Sequence, residues 1–209
     1  YLAPSRKTYK QSRLDNLFFK LAGITSIIGL PIRSDQLDNS KKPLPTLMRE
    51  ADLILGRLEK CGIKIPEANT GNMSLPITPI HIERVSIWAR KSLNNNTNYF
   101  ILSPGAMASI KQWPIEYYIK VAKRLYKEFS LVPIVTGIKK DRELAEKVQK
   151  IVPEAINACG GFSITESICL MKYGDFYLGN DGGGMHLAVC AGLKCVAIFS
   201  ARDFPGKWY

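Results

Sequence analysis

The chain has 209 residues, 46% hydrophobic and 22% charged, with a formal net charge of +11 and a pI near 9.5. That length supports one large or two small domains with a packed core, and the balance of apolar and charged residues excludes a disordered chain. No run approaches the roughly 20 apolar residues of a membrane span. There is no signal-peptide pattern at Tyr1, and no arginine-rich block, zinc-finger spacing or helix-turn-helix signal points to nucleic acid. The five cysteines are odd in number and lack CxxC spacing, as reduced core cysteines do, and two histidines do not suffice for a zinc site.

Tyr1 to Lys20 is basic, with Arg6, Lys7, Lys10, Arg13 and Lys20. Leu14, Leu17, Phe18 and Leu21 fall at helical spacing and predict an amphipathic helix over Ser12–Ala22. Its basic and aromatic residues suit an anionic membrane face, but packing against a sheet is the commoner use of such a stripe and is the reading adopted. Gly23 ends the helix, Ser26–Leu30 reads as a short strand, and Arg33–Pro45 as a loop. Thr46–Cys61 is a helix with Leu47, Ala51, Ile54, Leu55 and Leu58 as its stripe. Lys64–Pro79 is irregular, with one brief strand near Met73–Leu75, and His81–Leu93 is a further helix. The run Asn94–Asn98 is polar and turn-prone, which makes it the domain boundary: residues 1–95 before it, 96–209 after it.

Beyond that run strands and helices alternate. Tyr99–Leu102, Val132–Thr136, Ala155–Ala158, Phe176–Leu178 and Cys195–Phe199 read as buried strands. Pro114–Phe129, Asp141–Ile151, Ser163–Met171 and Met185–Ala191 read as the helices between them. Ser163 with Glu166 forms a capping box. The pattern predicts a doubly wound α/β fold.

The stretch Asn180-Asp181-Gly182-Gly183-Gly184-Met185-His186 carries the strongest signal. It reads as a loop at the carboxyl end of a strand, opening a helix, where glycines admit conformations closed to other residues and unpaired N–H groups favour an anion. Asp181 and His186 frame it and suggest phosphate or phosphosugar chemistry; alternatively Asp181 caps the helix and His186 is merely packed. Two other strand-to-helix loops lie at the same sheet edge. One carries Ser103, Ser109 and Lys111, a hydroxyl and cation set suited to phosphate, although Lys111 could be one exposed lysine among many. The other runs from Gly137 to Asp141, which caps its helix or meets a ribose hydroxyl, capping being the first reading.

Taken together, Ser103-Pro104-Gly105-Ala106, Lys111-Gln112-Trp113-Pro114, Gly137 with Asp141, and Asn180 to Ala188 resemble glycosyltransferase family 9, the heptosyltransferase-like family of bacterial lipopolysaccharide synthesis. Order and spacing agree over Tyr99–Phe199, and Lys20–Leu30 resembles the end of the family's N-terminal domain. Gly182 stands where many members have Thr, Lys139 where some have a ribose-binding Glu, and Ser200-Ala201-Arg202-Asp203 where Gly-Pro-Thr-Asp is commoner.

The resemblance implies the GT-B architecture, two Rossmann-like domains of which the N-terminal one is incomplete here. It implies transfer of a heptose or related hexose from a nucleotide-diphosphate sugar to a lipid-linked saccharide. By matching position, Ser103, Lys111, Asp141, Gly182 and Gly183 would bind the donor, and Asp181 and His186 would lie at the reacting sugar. The general base is expected in the N-terminal domain, ahead of Tyr1, so the chain reads as a piece of a longer protein. No metal and no cofactor are implied, since Lys111 and a helix N-terminus can offset the leaving group's charge. The resemblance and the positive charge together imply a cytoplasmic enzyme, peripheral on the anionic inner membrane face. A nucleotide-sugar epimerase of the same fold and a non-catalytic nucleotide-binding protein are the alternatives.

Overall fold

The structure is a computed structural model and describes residues 9–30, 49–67, 73–94 and 97–200. The chain forms two compact units, the first reaching Gly71 and the second spanning Asn72–Arg202.

The first unit contains α1 (Tyr9–Leu21) and α2 (Glu50–Lys60). The stripe on α1 is present, but Leu14, Leu17, Phe18 and Leu21 are exposed, so the expected packing against a sheet is not found. The described residues of this unit contain no strand. Ser26–Leu30, expected as one, leaves a single bridge residue at Ile28. Gly29 follows with a φ of +72°, a left-handed turn that ends the extended run before it can pair along its length. Helix α2 begins at Glu50 rather than Thr46, after extended Arg49, and Gly62 (φ +79°) follows its end. Residues 31–48, which include the expected loop and the helix start at Thr46, lie outside the described residues.

The second unit opens with irregular chain. Met73–Leu75 forms no strand, and α3 (Pro79–Ser92) starts at a capping box in which Thr78 and His81 bond reciprocally. The sequence reading puts α3 on the N-terminal side of a boundary at 95/96. In the structure α3 packs on the second unit: Val85 is buried, and Trp88 meets Phe162 edge-on at 5.0 Å. Asn95 and Asn96 lie outside the described residues.

Five parallel strands follow, β1 (Tyr99–Ser103), β2 (Val132–Val135), β3 (Ile156–Asn157), β4 (Tyr177–Asn180) and β5 (Cys195–Ile198), in the order β3-β2-β1-β4-β5. Each is joined to the next by a helix: α4 (Ile115–Phe129), α5 (Arg142–Gln149), α6 (Ile164–Met171) and α7 (Gly183–Cys190). The central strand explains the layering. Tyr99-Phe100-Ile101-Leu102-Ser103 is buried throughout, as befits a parallel strand covered on both faces. Phe100 and Leu102 face α4 and α5, in a core with Tyr118, Ala122, Val135 and Val148. Tyr99 and Ile101 face the other way, toward Val85 of α3, Leu170 and Met171 of α6, and Met185 and Ala188 of α7.

The strand order reverses between β1 and β4, which pair with the register Ile101–Tyr177, Leu102–Leu178 and Ser103–Gly179. Connections from β1 run toward β3 and those after β3 return toward β5, so a crevice opens at the carboxyl ends of β1 and β4.

Three further expectations need correction. Asn180 continues β4 instead of breaking it, because its main chain pairs with Ile198. Strand β5 is not buried: it lies at the sheet edge, and Val196 is 54% exposed. The helix expected from Asp141 to Ile151 begins as a 3-10 turn over Lys139–Asp141 and ends at Gln149.

Candidate functional site

The crevice at the reversal is built from three strand-to-helix loops. From β1, the chain leaves at Ser103, passes through a 3-10 turn at Ser109–Lys111, and enters α4 after Pro114. From β4 it leaves at Asn180, and only Asp181 and Gly182 separate the strand from α7. The glycine loop is thus shorter than the sequence suggested, since Gly183 and Gly184 already belong to the helix. None of the three glycines takes a left-handed conformation, and Gly182 is fully extended (φ 179°). Gly184 serves close approach instead. A Cβ there would lie 2.9 Å from the Tyr177 hydroxyl and 3.0 Å from Ser103 Oγ, so α7 can start directly against the ends of β1 and β4.

Asn180 organises the crevice. Its side chain is buried, and Oδ1 accepts from the Trp113 backbone N–H (2.9 Å) and the Tyr118 hydroxyl (2.9 Å). Its Nδ2 donates to the Pro104 carbonyl (2.8 Å) and, more weakly, to the Gly105 carbonyl (3.4 Å). Both ends of the β1 loop are thereby tied to the end of β4. The Trp113 ring stacks on Tyr117 and meets Tyr118 edge-on at 4.9 Å, which steadies the entry to α4. Burial pushes the Tyr118 phenol well above its ordinary range, so it stays a neutral donor.

The residue that this frame positions is Lys111. Its ammonium donates to Asp181 in an ion pair whose carboxylate side chain is 7% exposed and whose lysine is 21% exposed. Lys111 is therefore not one exposed lysine among many. The start of α7 lies immediately beside the pair, with its first N–H groups at the crevice. A cation and a helix N-terminus meeting at a sheet reversal form an arrangement that can receive a phosphate-bearing ligand.

The other candidate residues divide. Ser103 is buried, and its hydroxyl points to the Thr136 carbonyl (3.4 Å) and bonds the Tyr177 side chain, so it is engaged with protein partners. Burial, opposed in part by the Ser103 bond, pushes the Tyr177 phenol up to about 12. Asp141 is buried and accepts from the Ile138 N–H at 2.8 Å. Its carboxylate fills the space between two glycines: a Cβ at either Gly105 or Gly137 would come within 2.6 Å of it. Asp141 thus clasps the second loop against the first; it stands at the N-cap of α5, but its side chain makes no capping bond to that helix and bonds back to Ile138 instead. Gly182 is half-buried, while Gly183 and His186, at the start of α7, are exposed. No group of three or more His, Cys, Asp or Glu that could hold a metal occurs among the described residues.

The model of "Glycosyltransferase family 9 (heptosyltransferase)" matches residues 79–208, which contain β1 to β5 and all three loops. The chain belongs to glycosyltransferase family 9. Lipooligosaccharide heptosyltransferase 2 of Campylobacter jejuni (serotype O:2) is 30% identical over 117 residues, 54% of this chain and 36% of that protein. The chain therefore spans little more than a third of that relative's length. Among solved structures it is similar to a family 9 glycosyl transferase from Veillonella parvula (TM-score 0.65, 22% identity, 78% of this chain and 48% of that one). It is likewise similar to the ADP-heptose LPS heptosyltransferase II of E. coli (TM-score 0.64, 21% identity, 98% of this chain and 63% of that one). These likenesses show the α/β fold of the GT-B heptosyltransferases.

Sequence reasoning singled out Lys111 and Asp181, which the structure brings together; it included Asn180 in the loop without giving it a role, and it did not name Tyr118 or Tyr177. The one available signal for Asn180 was a polar amide at the end of an apolar strand, next to Asp181. Its partners lie 62 to 76 residues away in the chain.

Proposed function

We propose that the chain is the donor-binding part of a glycosyltransferase that moves a heptose or related hexose from a nucleotide diphosphate to a lipopolysaccharide-type acceptor. The carrying observation is Lys111 at the sheet reversal, beside the N-terminus of α7. In this reading Lys111 and the first N–H groups of α7 hold the diphosphate. The acceptor hydroxyl oxygen attacks the anomeric carbon and forms the new glycosidic bond. The bond from that carbon to the phosphate oxygen breaks, and its electron pair leaves with the nucleoside diphosphate. The acceptor's proton goes to a base in the N-terminal domain. The growing charge on the leaving group would be offset by Lys111 and the helix N-terminus. In this reading Asp181, and His186 on the first turn of α7, would lie at the reacting sugar.

The E. coli relative is an ADP-heptose enzyme, so ADP and its sugar esters come first in a thermal-shift screen that also holds UDP, GDP and CDP. One nucleoside diphosphate should stabilise the chain, and Lys111→Ala should remove the effect. An equal shift in wild type and Lys111→Ala would count against the site.

The reading extends to a peripheral position on an anionic membrane face. Its support is α1, which exposes Leu14, Leu17, Phe18 and Leu21 on a helix that also carries Lys10, Arg13 and Lys20. No helix among the described residues is long and apolar enough to cross a membrane. Co-sedimentation with phosphatidylglycerol vesicles but not phosphatidylcholine vesicles is the expected result, and equal recovery with both would remove the electrostatic part.

A further inference from the structure

The ion pair at the centre of the site has two unequal members. Asp181 is the more buried, 7% exposed against 21%, and its main chain is anchored: its backbone N–H donates to the Ile198 carbonyl at 3.0 Å, and its neighbour Asn180 has every side-chain bonding position engaged. Lys111 sits on a three-residue 3-10 turn beside Ile110, which is 69% exposed, and reaches Asp181 through a flexible four-carbon stem. Any anion that enters the crevice to meet Lys111 also meets the Asp181 carboxylate beside it.

From this asymmetry, and resting on the diphosphate reading above, we propose that Asp181 determines selectivity by favouring a diphosphate that carries a sugar over a bare one. When a phosphate draws Lys111 away, Asp181 is left as a buried carboxylate that can only accept hydrogen bonds. A bare diphosphate is itself an acceptor of like charge, so it both removes the cation and adds repulsion. A sugar ester brings hydroxyl donors to the same place and supplies the bonds that Asp181 lost. The residue therefore opposes the product of transfer, a bare nucleoside diphosphate, and so assists its departure.

The experiment is a set of affinities for wild type, Lys111→Ala, Asp181→Asn and Asp181→Ser, each first checked by circular dichroism for a native spectrum. The probes are inorganic pyrophosphate and four pairs: ADP with ADP-glucose, UDP with UDP-glucose, GDP with GDP-mannose, and CDP with CDP-glucose. Wild type should prefer the sugar ester of the base it accepts, and Lys111→Ala should bind both members of that pair more weakly. Asp181→Asn should bind pyrophosphate and the bare nucleoside diphosphate tighter than wild type, by at least about fivefold, the low end of a coupling between neighbouring sites. Its preference for the sugar ester should shrink toward unity. Damage to the fold cannot produce a gain in affinity, and Asp181→Ser repeats the test if the amide packs badly. If Lys111→Ala weakens binding while neither Asp181 variant gains affinity for a bare diphosphate, the selectivity role is overturned and the diphosphate reading stands. If wild type binds none of the probes, or Lys111→Ala binds as well as wild type, both fall.

Discussion

At the scale of single residues, the crevice depends on side chains that fill space left by glycines. Gly105 and Gly137 both lie against the Asp141 carboxylate, which is pinned by the Ile138 N–H. Gly105→Ala would drive a methyl group to within 2.6 Å of the carboxyl carbon, so the carboxylate must shift from a position held by the Ile138 N–H. The expected cost is about 1–3 kcal/mol of stability, typical of overpacking, with a matching fall in Tm and weaker diphosphate binding as the β1 loop shifts. Gly183, where a Cβ would meet nothing within 4 Å, is the control: Gly183→Ala should leave Tm nearly unchanged. Asn180→Ala strips the partners from the Trp113 N–H, the Tyr118 hydroxyl and the Pro104 carbonyl together. Leaving a buried polar group unpaired costs about 1–3 kcal/mol, so this variant should lose more stability than Tyr118→Phe, which forfeits one bond worth about 1 kcal/mol. Urea titration of the three chains gives the ranking.

At the scale of elements, α3 and α6 are held together by groups at their N-termini. Ser163 and Glu166 form the capping box expected from the sequence, and Arg84 of α3 pairs with Glu166 at 2.8 Å. The Ser163 backbone N–H, more than the Arg84 charge, holds the Glu166 carboxyl below its ordinary range. A carboxyl lowered by folding contributes stability that is present above its unfolded pKa, about 4.3, and lost as pH falls through the folded value. Glu166→Gln should therefore flatten the decline of Tm below about pH 5, which differential scanning calorimetry across pH 3–7 measures. The capping box was legible because its two residues are three apart. So were the strands of the second unit, whose apolar runs reflect helices on both faces. The unpaired stripe of α1 and the exposed β5 were not, because burial depends on what lies across a face, which no local pattern records. The bonding role of Asn180 was not legible for the same reason: its side-chain bonds are all to distant chain.

At the scale of the whole molecule, the sheet encloses several acids that folding keeps protonated. Burial raises Tyr99, Tyr177 and Cys159 each to about 12, with the Asp175 charge adding at Tyr99 and the Asp141 charge at Cys159. Groups raised by folding contribute stability in full below their unfolded values, about 8.5 for the thiol and about 10 for the phenols, and lose it as pH rises toward the folded ones. Stability should fall steadily from pH 9 to 12, and Tyr177→Phe should soften the fall, read by far-ultraviolet circular dichroism in a urea series at each pH. The register of β1 with β4 has a consequence for how the chain is made. Strands β1, β2 and β3 can pair as soon as Asn157 has been synthesised, but β4 ends at Asn180. At ordinary translation rates that segment emerges roughly one to five seconds later. For that interval the half-sheet presents the β1 edge, with Ile101, Leu102 and Ser103 unpaired, where another nascent chain could add a strand. Lys111 and Asp181 meet only when that edge closes, so the crevice comes into being at the moment the chain ceases to be sticky.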